Sequence, residues 1–557
     1  MSVEKLYALL FDTRSIQRYI YAGNRLRTNI GASYIVDCVF QDILIDEVLT
    51  EMFPDDEFPA ATNSAWNFAD DETKSWENMK SCCVAYIGGG NAMLLFKESA
   101  KNLRTEVVKN FTRKLLIERP GIKIGAAQGE LNLVDGKLNQ NEVTELYKTL
   151  KDTQSKIFPP VNVPYSGLTL SCEIDGATAD FCDTRGLVKP DGEVRFYSQE
   201  TAIKADFSKK ANENLRERFI DIFMLKNFVP DFNFEFPDEV EKLGQIETEN
   251  YFAIVHVDGN NMGLKFRNCE NLNQRRKLSR EIRRKTEGSF ADLLIKIIKS
   301  KNILDEYLDL EENILPIRPL IIGGDDVTFI CPAKMAIIFT KNLMELMTAE
   351  TPADTAEHLT MKSSRRMDCC AGIAILPTAY PFFRGYELAE QLCDEAKDAM
   401  RKINLPEGSS WLDFAILHGE QAPELEQIRK TEYSGARGNL HFGPYRVANS
   451  TDKNSQDKRK NIENLLECTT QFLEGKIISH GKIKELRGVL QHGKDDTIKF
   501  VQQLQNQNQS LPKISDWENY LTDALWSAGK SARTPYVDAI ELMDFYLPEV
   551  AQKWNLM

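Results

Sequence analysis

The chain has 557 residues, of which 42% are hydrophobic and 27% charged, a composition typical of folded proteins and not of disordered or fibrous ones. At ~150 residues per domain, this length predicts three or four domains. The formal net charge of -14 argues against a surface that coats nucleic acid uniformly, although local basic patches are compatible with it. No apolar run approaches the roughly 18 residues that cross a bilayer, and the N-terminal apolar stretch is too short for a secretory signal. We therefore expect a cytoplasmic protein without membrane segments.

Several common catalytic motifs are missing from the sequence. None of the six histidines lies in an H-E-x-x-H motif or precedes an aspartate, which excludes zincins and HD-type phosphohydrolases. Gly529-Lys530-Ser531 resembles the end of a P-loop, but Ala524 occupies the position of the required first glycine. No G-x-G-x-x-G follows a predicted strand, so a Rossmann site is not indicated. The 11 cysteines contain no C-x-x-C, and we expect them to be reduced and mostly buried.

The sequence contains an internal repeat. Each copy begins with an apolar strand that ends in an aspartate, continues with a helical stretch and a hairpin around a glycine turn, and closes with a helix and a Gly-Ala-containing strand. The strands and hairpins of the first copy are 4–11, 84–96 and 122–130, and those of the second are 251–257, 318–331 and 369–377. This order is the ferredoxin-like βαββαβ plan. We therefore expect an α/β (α+β) protein with two ferredoxin-like domains.

The remaining segments carry other patterns. The stretch between the copies is rich in Pro, Asp and Phe and shows no repeat. WLDFAIL at 411–417 is typical of an edge strand, and amphipathic helices are predicted from about residue 460 onward. We predict a first ferredoxin-like domain at 1–140, an insert at 141–245, a second ferredoxin-like domain at 246–420 and a helical C-terminal domain at 421–557.

Three acids of the second copy are expected to meet at one edge of its sheet. Asp258 ends the first strand, and Asp325 and Asp326 lie in the Gly-Gly-Asp-Asp hairpin, whose position beside that strand end follows from the antiparallel pairing of strands 1 and 3. Carboxylates held together repel one another unless cations lie between them, and two Mg²⁺ ions there would bridge a triphosphate and activate an attacking hydroxyl. A solvated hairpin turn is the alternative. The accompanying V-D-G-N-N-M-G at 257–263 favours the metal–nucleotide site.

The second copy resembles the catalytic palm of the large subunit of type III CRISPR effector complexes, most closely of the Cmr type. The matching segments are Asp258-Gly259-Asn260-Asn261-Met262-Gly263, Gly323-Gly324-Asp325-Asp326 and AGIAILPTAYPFFRGYELAEQLCDEAK. FDTRSIQRYIY, IGASYIVD and IGGGN make the first copy similar to that family's first palm, and LDFAILHG and GPYRV also have counterparts. The resemblance covers most of residues 1–450. It implies two facing palms that bind two nucleotides between them, with the GGDD palm making nucleotide second messengers from ATP.

The acids and the resemblance together identify the expected site. We expect Asp258, Asp325 and Asp326 to be catalytic and, with Gly259, to hold two Mg²⁺ or Mn²⁺ ions. The residues expected to contact nucleotide are Gly323, Gly324, Asn261, Lys397, Ser33, Gly88, Gly89, Gly90 and Asn91. Asn260 stands where the family has a second aspartate, which leaves the metal stoichiometry open.

The first palm has lost most of its acids. It keeps Asp12, but Gly90 and Asn91 stand where the hairpin carboxylates would be, and a lone aspartate cannot hold two divalent ions. We expect this half to bind and orient a nucleotide through backbone N–H groups of the triple glycine without catalysing. A degenerate palm kept for packing is the alternative. The family often carries an N-terminal HD nuclease domain; because the palm starts at residue 5, we do not expect DNA cleavage.

Two basic features accompany the acids. Lys397 lies on a predicted helix and matches the lysine that reaches triphosphate oxygens in related GGDEF-type cyclases, with a solvent-facing lysine as the alternative. A basic cluster on the helix after Asp258 spreads around more than one face, so we interpret it as a solvated or ribonucleoprotein-facing surface and not as a triphosphate clamp. Its members are Arg275, Arg276, Lys277, Arg280, Arg283, Arg284 and Lys285.

The predicted activity is nucleotidyl transfer. A ribose hydroxyl of the acceptor attacks the α-phosphate of ATP in line, and pyrophosphate leaves. The resemblance implies the partners, which are the other subunits of the ribonucleoprotein, guide RNA and target RNA. The alternatives are a catalytically quiet RNA-binding scaffold subunit and a free-standing GGDEF or class III-type nucleotide cyclase. The three retained acids argue against the scaffold, and the paired palms and helical tail argue against the cyclase.

The sequence leaves two classes of acceptor open. Most of the family joins ATP to ATP and makes cyclic oligoadenylates, whereas a branch that resembles this chain joins AMP to S-adenosylmethionine. The sulfonium and ammonium of that acceptor favour nearby acids, and Asp70 and Asp71 lie in an acidic loop shortly before the GGGN hairpin with few basic residues beside them. An ordinary exposed acidic loop explains the same residues equally well.

Overall fold

The computed structural model describes thirteen stretches of the chain. They are residues 3–56, 79–134, 137–155, 166–189, 191–245, 250–269, 272–350, 365–403, 409–419, 424–447, 458–521, 525–529 and 532–555. The strands are β1 (Val3–Arg14), β2 (Cys82–Gly88), β3 (Asn91–Phe96), β4 (Lys123–Val134), β5 (Lys137–Leu138), β6 (Phe181–Asp183), β7 (Arg195–Tyr197), β8 (Tyr251–Gly259), β9 (Arg318–Gly323), β10 (Asp326–Pro332), β11 (Cys369–Pro377), β12 (Ser410–Ile416), β13 (Gly438–Asn439), β14 (Tyr445–Val447) and β15 (Ala532–Arg533).

The α-helices of these stretches are numbered in chain order. They are α1 (Ile16–Ile20), α2 (Leu26–Val39), α3 (Thr50–Met52), α4 (Arg104–Glu118), α5 (Gln140–Gln154), α6 (Gln199–Leu225), α7 (Met262–Arg267), α8 (Leu272–Lys299), α9 (Lys301–Leu304), α10 (Ala336–Thr348), α11 (Phe382–Ile403), α12 (Leu425–Thr431), α13 (Ile462–Glu474), α14 (His480–His492), α15 (Lys494–Asn506), α16 (Ser515–Glu518), α17 (Tyr536–Leu542) and α18 (Pro548–Asn555). A π-helix (Phe40–Leu49) joins α2 to α3, and 3₁₀ turns span Glu98–Leu103, Val240–Leu243, Ala333–Met335, Lys458–Lys460 and Met543–Phe545.

The first sheet has the strand order β2-β3-β1-β4-β5. Its central strand β1 pairs antiparallel with both β3 and β4, and the alternating side chains of β1 form two separate cores. One core packs against the π-helix and α4, and the other against α5. This arrangement confirms the ferredoxin-like plan that the repeat predicts.

The second sheet repeats that plan and extends it, with the order β14-β12-β11-β8-β10-β9. Its central strand β8 lies antiparallel between β10 and β11. The prediction of an edge strand at 411–417 is wrong, because β14 pairs with β12 on its outer side and all seven residues of β12 are buried. An apolar strand without polar alternation is typical of such an interior position.

Helix α2 connects the first sheet to the core of the second. It follows the first strand of the first sheet, yet its residues Leu26, Ile30, Ala32 and Ile35 are buried in the core of the second sheet, and α2 packs against α6 and β9. A β-carbon on Gly31 would lie 1.7 Å from the carbonyl oxygen of Lys204, so only glycine permits this close crossing of α2 and α6. Tyr21 stacks on Tyr386 of α11 with ring centroids 4.6 Å apart.

The C-terminal helices continue the same core and are tied to the second sheet by buried charges. His441 lies 3.0 Å from Asp413 of β12 through Nε2 and 3.0 Å from Asp538 of α17 through Nδ1. The Arg429 side chain of α12 lies 2.9 Å from the other carboxylate oxygen of Asp413. The helices predicted from residue 460 onward are present. Within the described residues, the structure contains no helix that is long and apolar enough to cross a membrane.

Candidate active site

The three acids predicted to meet do meet. Asp258 is the second-last residue of strand β8, Asp325 lies in the turn between β9 and β10, and Asp326 begins β10. Because Val257 pairs with Val327 across antiparallel strands, the end of β8 lies beside this hairpin. Each acid offers one carboxylate oxygen, and these oxygens all lie within 4.8 Å of one another.

Glycines leave the space around the acids open. A β-carbon on Gly259 would lie 2.7 Å from the β-carbon of Asp325, so this position of Asp325 requires glycine at 259. Gly323 and Gly324 border empty space, and Gly324 has a φ of +64°, which glycine adopts without strain. The tip of the hairpin is therefore accessible to a ligand.

Burial and mutual proximity shift the pKa values of the three acids. Burial together with the charge of Asp258 raises the pKa of Asp325 to about 7. The pKa of Asp326 is also raised, by burial first and then by its contact with Asp258. Burial opposes ionisation of Asp258 as well, but hydrogen bonds with Asp326 and Lys397 lower its pKa overall. Such a set of partly buried carboxylates is stabilised by a cation.

Lys397 is directed at the acids. Its ammonium on α11 contacts the Asp258 carboxylate and lies 3.6 Å from that of Asp394. Burial disfavours its charge, but Cys393 and Asp258 outweigh that effect and raise its pKa. The alternative of a solvent-facing lysine is wrong, since only 19% of the side chain is exposed.

The two asparagines that follow Gly259 point in different directions. Asn260 is buried and donates from Nδ2 to the Ser409 carbonyl at 3.0 Å, while its backbone N–H donates to the Asp368 carbonyl at 2.8 Å. It therefore supports the loop instead of joining the acids. Asn261 is exposed, has a φ of +61° and precedes the first turn of α7.

In the first palm, amide side chains contact the corresponding edge of the sheet. Asp12 lies opposite Asn91 in the pairing of β1 with β3, and the Gln154 side chain of α5 donates to the Asp12 carboxylate. Asn91 donates from Nδ2 to the Gly89 carbonyl at 3.0 Å. Gly89 and Gly90 both have positive φ, as the tight hairpin requires. Sequence reasoning identified Asp12 here but missed Gln154, because the contact spans 142 residues and follows no local motif.

A cavity of about 220 Å³ lies between the two palms. Its wall includes Gly88, Gly89 and Gly90 of the first palm and Gly323, Gly324 and Asp326 of the second. Ser33 also lines it, although its hydroxyl donates to the Leu320 carbonyl of β9. The structure thus brings most of the predicted residues to one cavity and its acidic end. Asp70 and Asp71 lie outside the described residues.

The interpretation of the basic cluster as a solvated surface is wrong for one face of α8. Arg276, Arg280 and Arg283 line the cavity together with Ser279. These four positions follow a helical i, i+3, i+4, i+7 spacing, which places them on one face. That spacing was the available sequence signal, but it was obscured by the basic residues on the other faces.

The middle of the chain matches a known family. Residues 251–405 match the family model described as Cas10/Cmr2, second palm domain. The chain carries a Cas10/Cmr2 palm domain. The match begins at the first residue of β8 and ends just beyond α11, so this Cas10/Cmr2 palm contains the three acids, the glycine hairpin and Lys397. No curated protein matches the chain.

Several solved structures also match the chain, all at low sequence identity. A crystal structure of a Csm1–Csm4 cassette in complex with cA3 has a TM-score of 0.49 and 11% identity, and the match covers 97% of this chain and 70% of that one. For a cassette in complex with AMPPNP, the TM-score is 0.46 and the identity 12%, with coverage of 90% and 62%. For Csm1 in T. onnurineus, the values are 0.44 and 14%, with coverage of 92% and 66%. Similarity at this level does not extend to activity or ligands.

Proposed function

We propose that this protein is a nucleotidyltransferase subunit of a type III CRISPR antiviral effector, which makes an adenylate second messenger from ATP when target RNA is bound. The observation that supports this proposal is the convergence of Asp258, Asp325 and Asp326, with carboxylate oxygens within 4.8 Å, at the end of a cavity lined by both palms. Clustered carboxylates beside a cavity are the arrangement that metal-assisted phosphoryl chemistry uses.

The acids fit a hard divalent cation. All three offer carboxylate oxygen, which Mg²⁺ and Mn²⁺ prefer, and burial together with the charge of Asp258 raises the pKa of Asp325 to about 7. Asp258, Asp325 and Asp326, with the Gly259 carbonyl, would hold two such ions. When bound, the ions would stabilise charge on the phosphate and lower the pKa of the attacking hydroxyl.

The residues of the chain position the reactants. Lys397 would neutralise phosphate oxygens of the donor ATP once the metal ions take over the charge of Asp258. Gly323 and Gly324 leave room for the triphosphate, and the exposed Asn261 would contact the nucleotide. A ribose hydroxyl of the acceptor then attacks the α-phosphate. The new P–O bond forms as the bond to the β-phosphate breaks, and pyrophosphate leaves.

The first palm would bind and orient the acceptor without catalysing. Its Asp12 carboxylate is engaged by Gln154, and Asn91 contributes an amide where the second palm has an acid. Gly88, Gly89 and Gly90 line the cavity wall, where their backbone would contact phosphate or ribose. Holding two reactants in line supplies a large part of the rate enhancement of such enzymes.

Two products remain in the proposal. Joining ATP to ATP gives a cyclic oligoadenylate, and joining AMP to S-adenosylmethionine gives a conjugate. The proposed partners are the other subunits of the ribonucleoprotein, guide RNA and target RNA. A scaffold without activity is the main competing function, and the retained cluster of mutually repelling acids argues against it.

The test uses the assembled complex with α-³²P-ATP, Mn²⁺ and target RNA. Labelled product should appear only with matching RNA, and it should be resolved by chromatography with and without S-adenosylmethionine. Product that forms equally well without S-adenosylmethionine and contains only adenylate assigns the oligoadenylate class. No product with any acceptor in the presence of bound target RNA would contradict the proposed activity and favour the scaffold.

A further inference from the structure

The cavity between the palms has an arginine-rich wall in addition to its acidic end. Arg276, Ser279, Arg280 and Arg283 lie along one face of α8 and line the cavity. Ser279 Oγ lies 3.2 Å from the position that a β-carbon would take on Gly88, so this face lies directly against the hairpin of the first palm. The second palm thereby supplies basic side chains to the part of the cavity that the first palm borders.

Part of this basic wall is neutralised by neighbouring acids. Arg283 lies 2.8 Å from Glu287 and 3.5 Å from Asp37, and Arg218 of α6 lies 3.5 Å from Asp37 and also contacts Glu287. These four side chains form a balanced cluster at one end of the row. Arg276 and Arg280 continue the row for almost two helical turns toward the N-terminus of α8.

The cavity as a whole carries an excess of positive charge on this side. Five arginines line it, whereas the lining acids are Asp37 and Asp326, and Asp326 belongs to the acidic end. Arg276 and Arg280 also interact within the protein, so a ligand would share or exchange those contacts. A surface with excess guanidinium groups favours ligands with an anionic group, because the guanidinium fork matches the oxygens of carboxylate and phosphate.

We propose that Arg276 and Arg280 form an anion subsite that binds the negatively charged end of the acceptor. This inference rests on the proposed nucleotidyl transfer and adds the charge class of its acceptor. The anionic group is a phosphate in an adenylate acceptor and the α-carboxylate in S-adenosylmethionine. Binding that end at α8 would direct the ribose hydroxyl toward the three acids. The first-palm hairpin at Gly88 would then contact the middle of the acceptor.

The experiment separates acceptor from donor. Labelled 2′,3′-dideoxy-ATP serves as a donor without an attacking hydroxyl, and the assembled complex with target RNA is given one acceptor at a time. The acceptors form two pairs that differ by the anionic group, which are AMP with adenosine and S-adenosylmethionine with its decarboxylated analogue. The wild-type complex should prefer the anionic member of at least one pair. The preferred pair identifies the phosphate or the carboxylate as the natural group.

Replacing both arginines tests the subsite. The Arg276→Gln/Arg280→Gln variant should lower the anionic preference at least tenfold, the size expected when ~1.5 to 3 kcal/mol of charged hydrogen bonding is lost. Use of the acceptor that lacks the anionic group should fall far less. Arg284→Gln is the matched control, because Arg284 lies on the same helix but does not line the cavity.

Three results would overturn the inference. One is a wild-type complex that shows no preference in either pair. Another is a double variant that keeps the preference. The third is a variant that loses both members of a pair equally, which would indicate a role in folding. In each case product formation from the wild-type complex still supports nucleotidyl transfer. A wild-type complex that forms no product with any acceptor instead removes the proposed function, and the subsite with it.

Discussion

The backbone of Gly259 faces the side chain of Asp325 so closely that a β-carbon at 259 would lie 2.7 Å from the β-carbon of Asp325 and 2.8 Å from Met262 Cε. The strand end and the hairpin therefore fit together only because residue 259 has no side chain. This contact fixes the distance between the two acid-bearing segments, and it makes the geometry of the acids sensitive to a single methyl group.

We expect Gly259→Ala to reduce product formation by between about tenfold and a hundredfold, because a displacement of ~1 Å at a reacting centre can cost ~100-fold. Labelled-product formation at saturating ATP measures the effect. Gly263→Ala is the control, because a β-carbon there meets no atom within 4 Å. Equal activities of the two variants would show that the position of Asp325 does not matter for turnover.

Replacing Asp325 and Asp326 by alanine should abolish product while folding and RNA binding are retained. The same variant should also change metal-dependent stability. Divalent ions that bind only the folded protein raise its Tm, so Mn²⁺ should raise the Tm of the wild type and not that of the variant. Asp398→Ala, at an exposed position on α11, should keep both the activity and the shift in Tm. Near-native turnover of the double variant in saturating Mn²⁺ would disprove the catalytic assignment.

Replacing Lys397 by methionine should lower product formation at least tenfold and leave the Tm in the presence of Mn²⁺ nearly unchanged. The side chain keeps its apolar length, but the ammonium that contacts Asp258 is lost. Lys402→Met, at an exposed position near the end of the same helix, provides the matched control. Unchanged activity of Lys397→Met would show that the ammonium only balances the charge of Asp258 when no metal is bound.

The buried cluster around His441 predicts a pH-dependent stability. Burial and Arg429 oppose protonation of His441, but Asp538 and Asp413 outweigh them and raise its pKa. The stability gained from a raised histidine pKa is fully present below the pKa of the unfolded state, ~6.5. It is lost as the pH rises through the pKa of the folded state. The two aspartates have the opposite pH dependence, because the stability they contribute is lost at low pH. Burial disfavours their charge, yet Arg429 and His441 lower the pKa of Asp413, and His441 lowers that of Asp538.

We therefore expect His441→Gln to lower the Tm most at pH values between ~4 and 6.5, since an aspartate of lowered pKa stabilises above its unfolded value of ~3.9. Near pH 5.5, the free energy of unfolding should fall by about 3 kcal/mol, as when one partner of a buried ion pair is removed. This decrease should become smaller toward pH 9. Thermal unfolding across pH measures it, with the exposed His492→Gln as control. A difference in Tm that does not vary with pH would mean that His441 acts through packing alone.

The repeat and its strand ends could be predicted from sequence because they depend on local patterns. Once the sheet topology is known, the end of the apolar run at Asp258 is expected beside the glycine hairpin that carries Asp325. The wrong edge strand has a physical cause, because its partner β14 is only three residues long and too short to recognise.

Contacts between distant segments could not be predicted in the same way. Gln154 reaches Asp12 across 142 residues, and the arginine face of α8 meets the first-palm hairpin only after both palms are assembled. A helix pattern specifies which residues share a face, but not which surface that face meets. The sequence therefore predicted the acids of the site more completely than its basic wall.

The sharing of α2 between the palms has a consequence for how the protein can be divided. Leu26, Ile30 and Ile35 precede the second palm by more than two hundred residues, yet they are buried in its core, and Ser33 donates to the Leu320 carbonyl of its strand β9. A fragment that begins at residue 246 would expose the apolar surface that α2 covers and would tend to aggregate. The two palms are consequently interdependent for solubility, and recombination between related chains should preserve fold most often when both palms come from one parent.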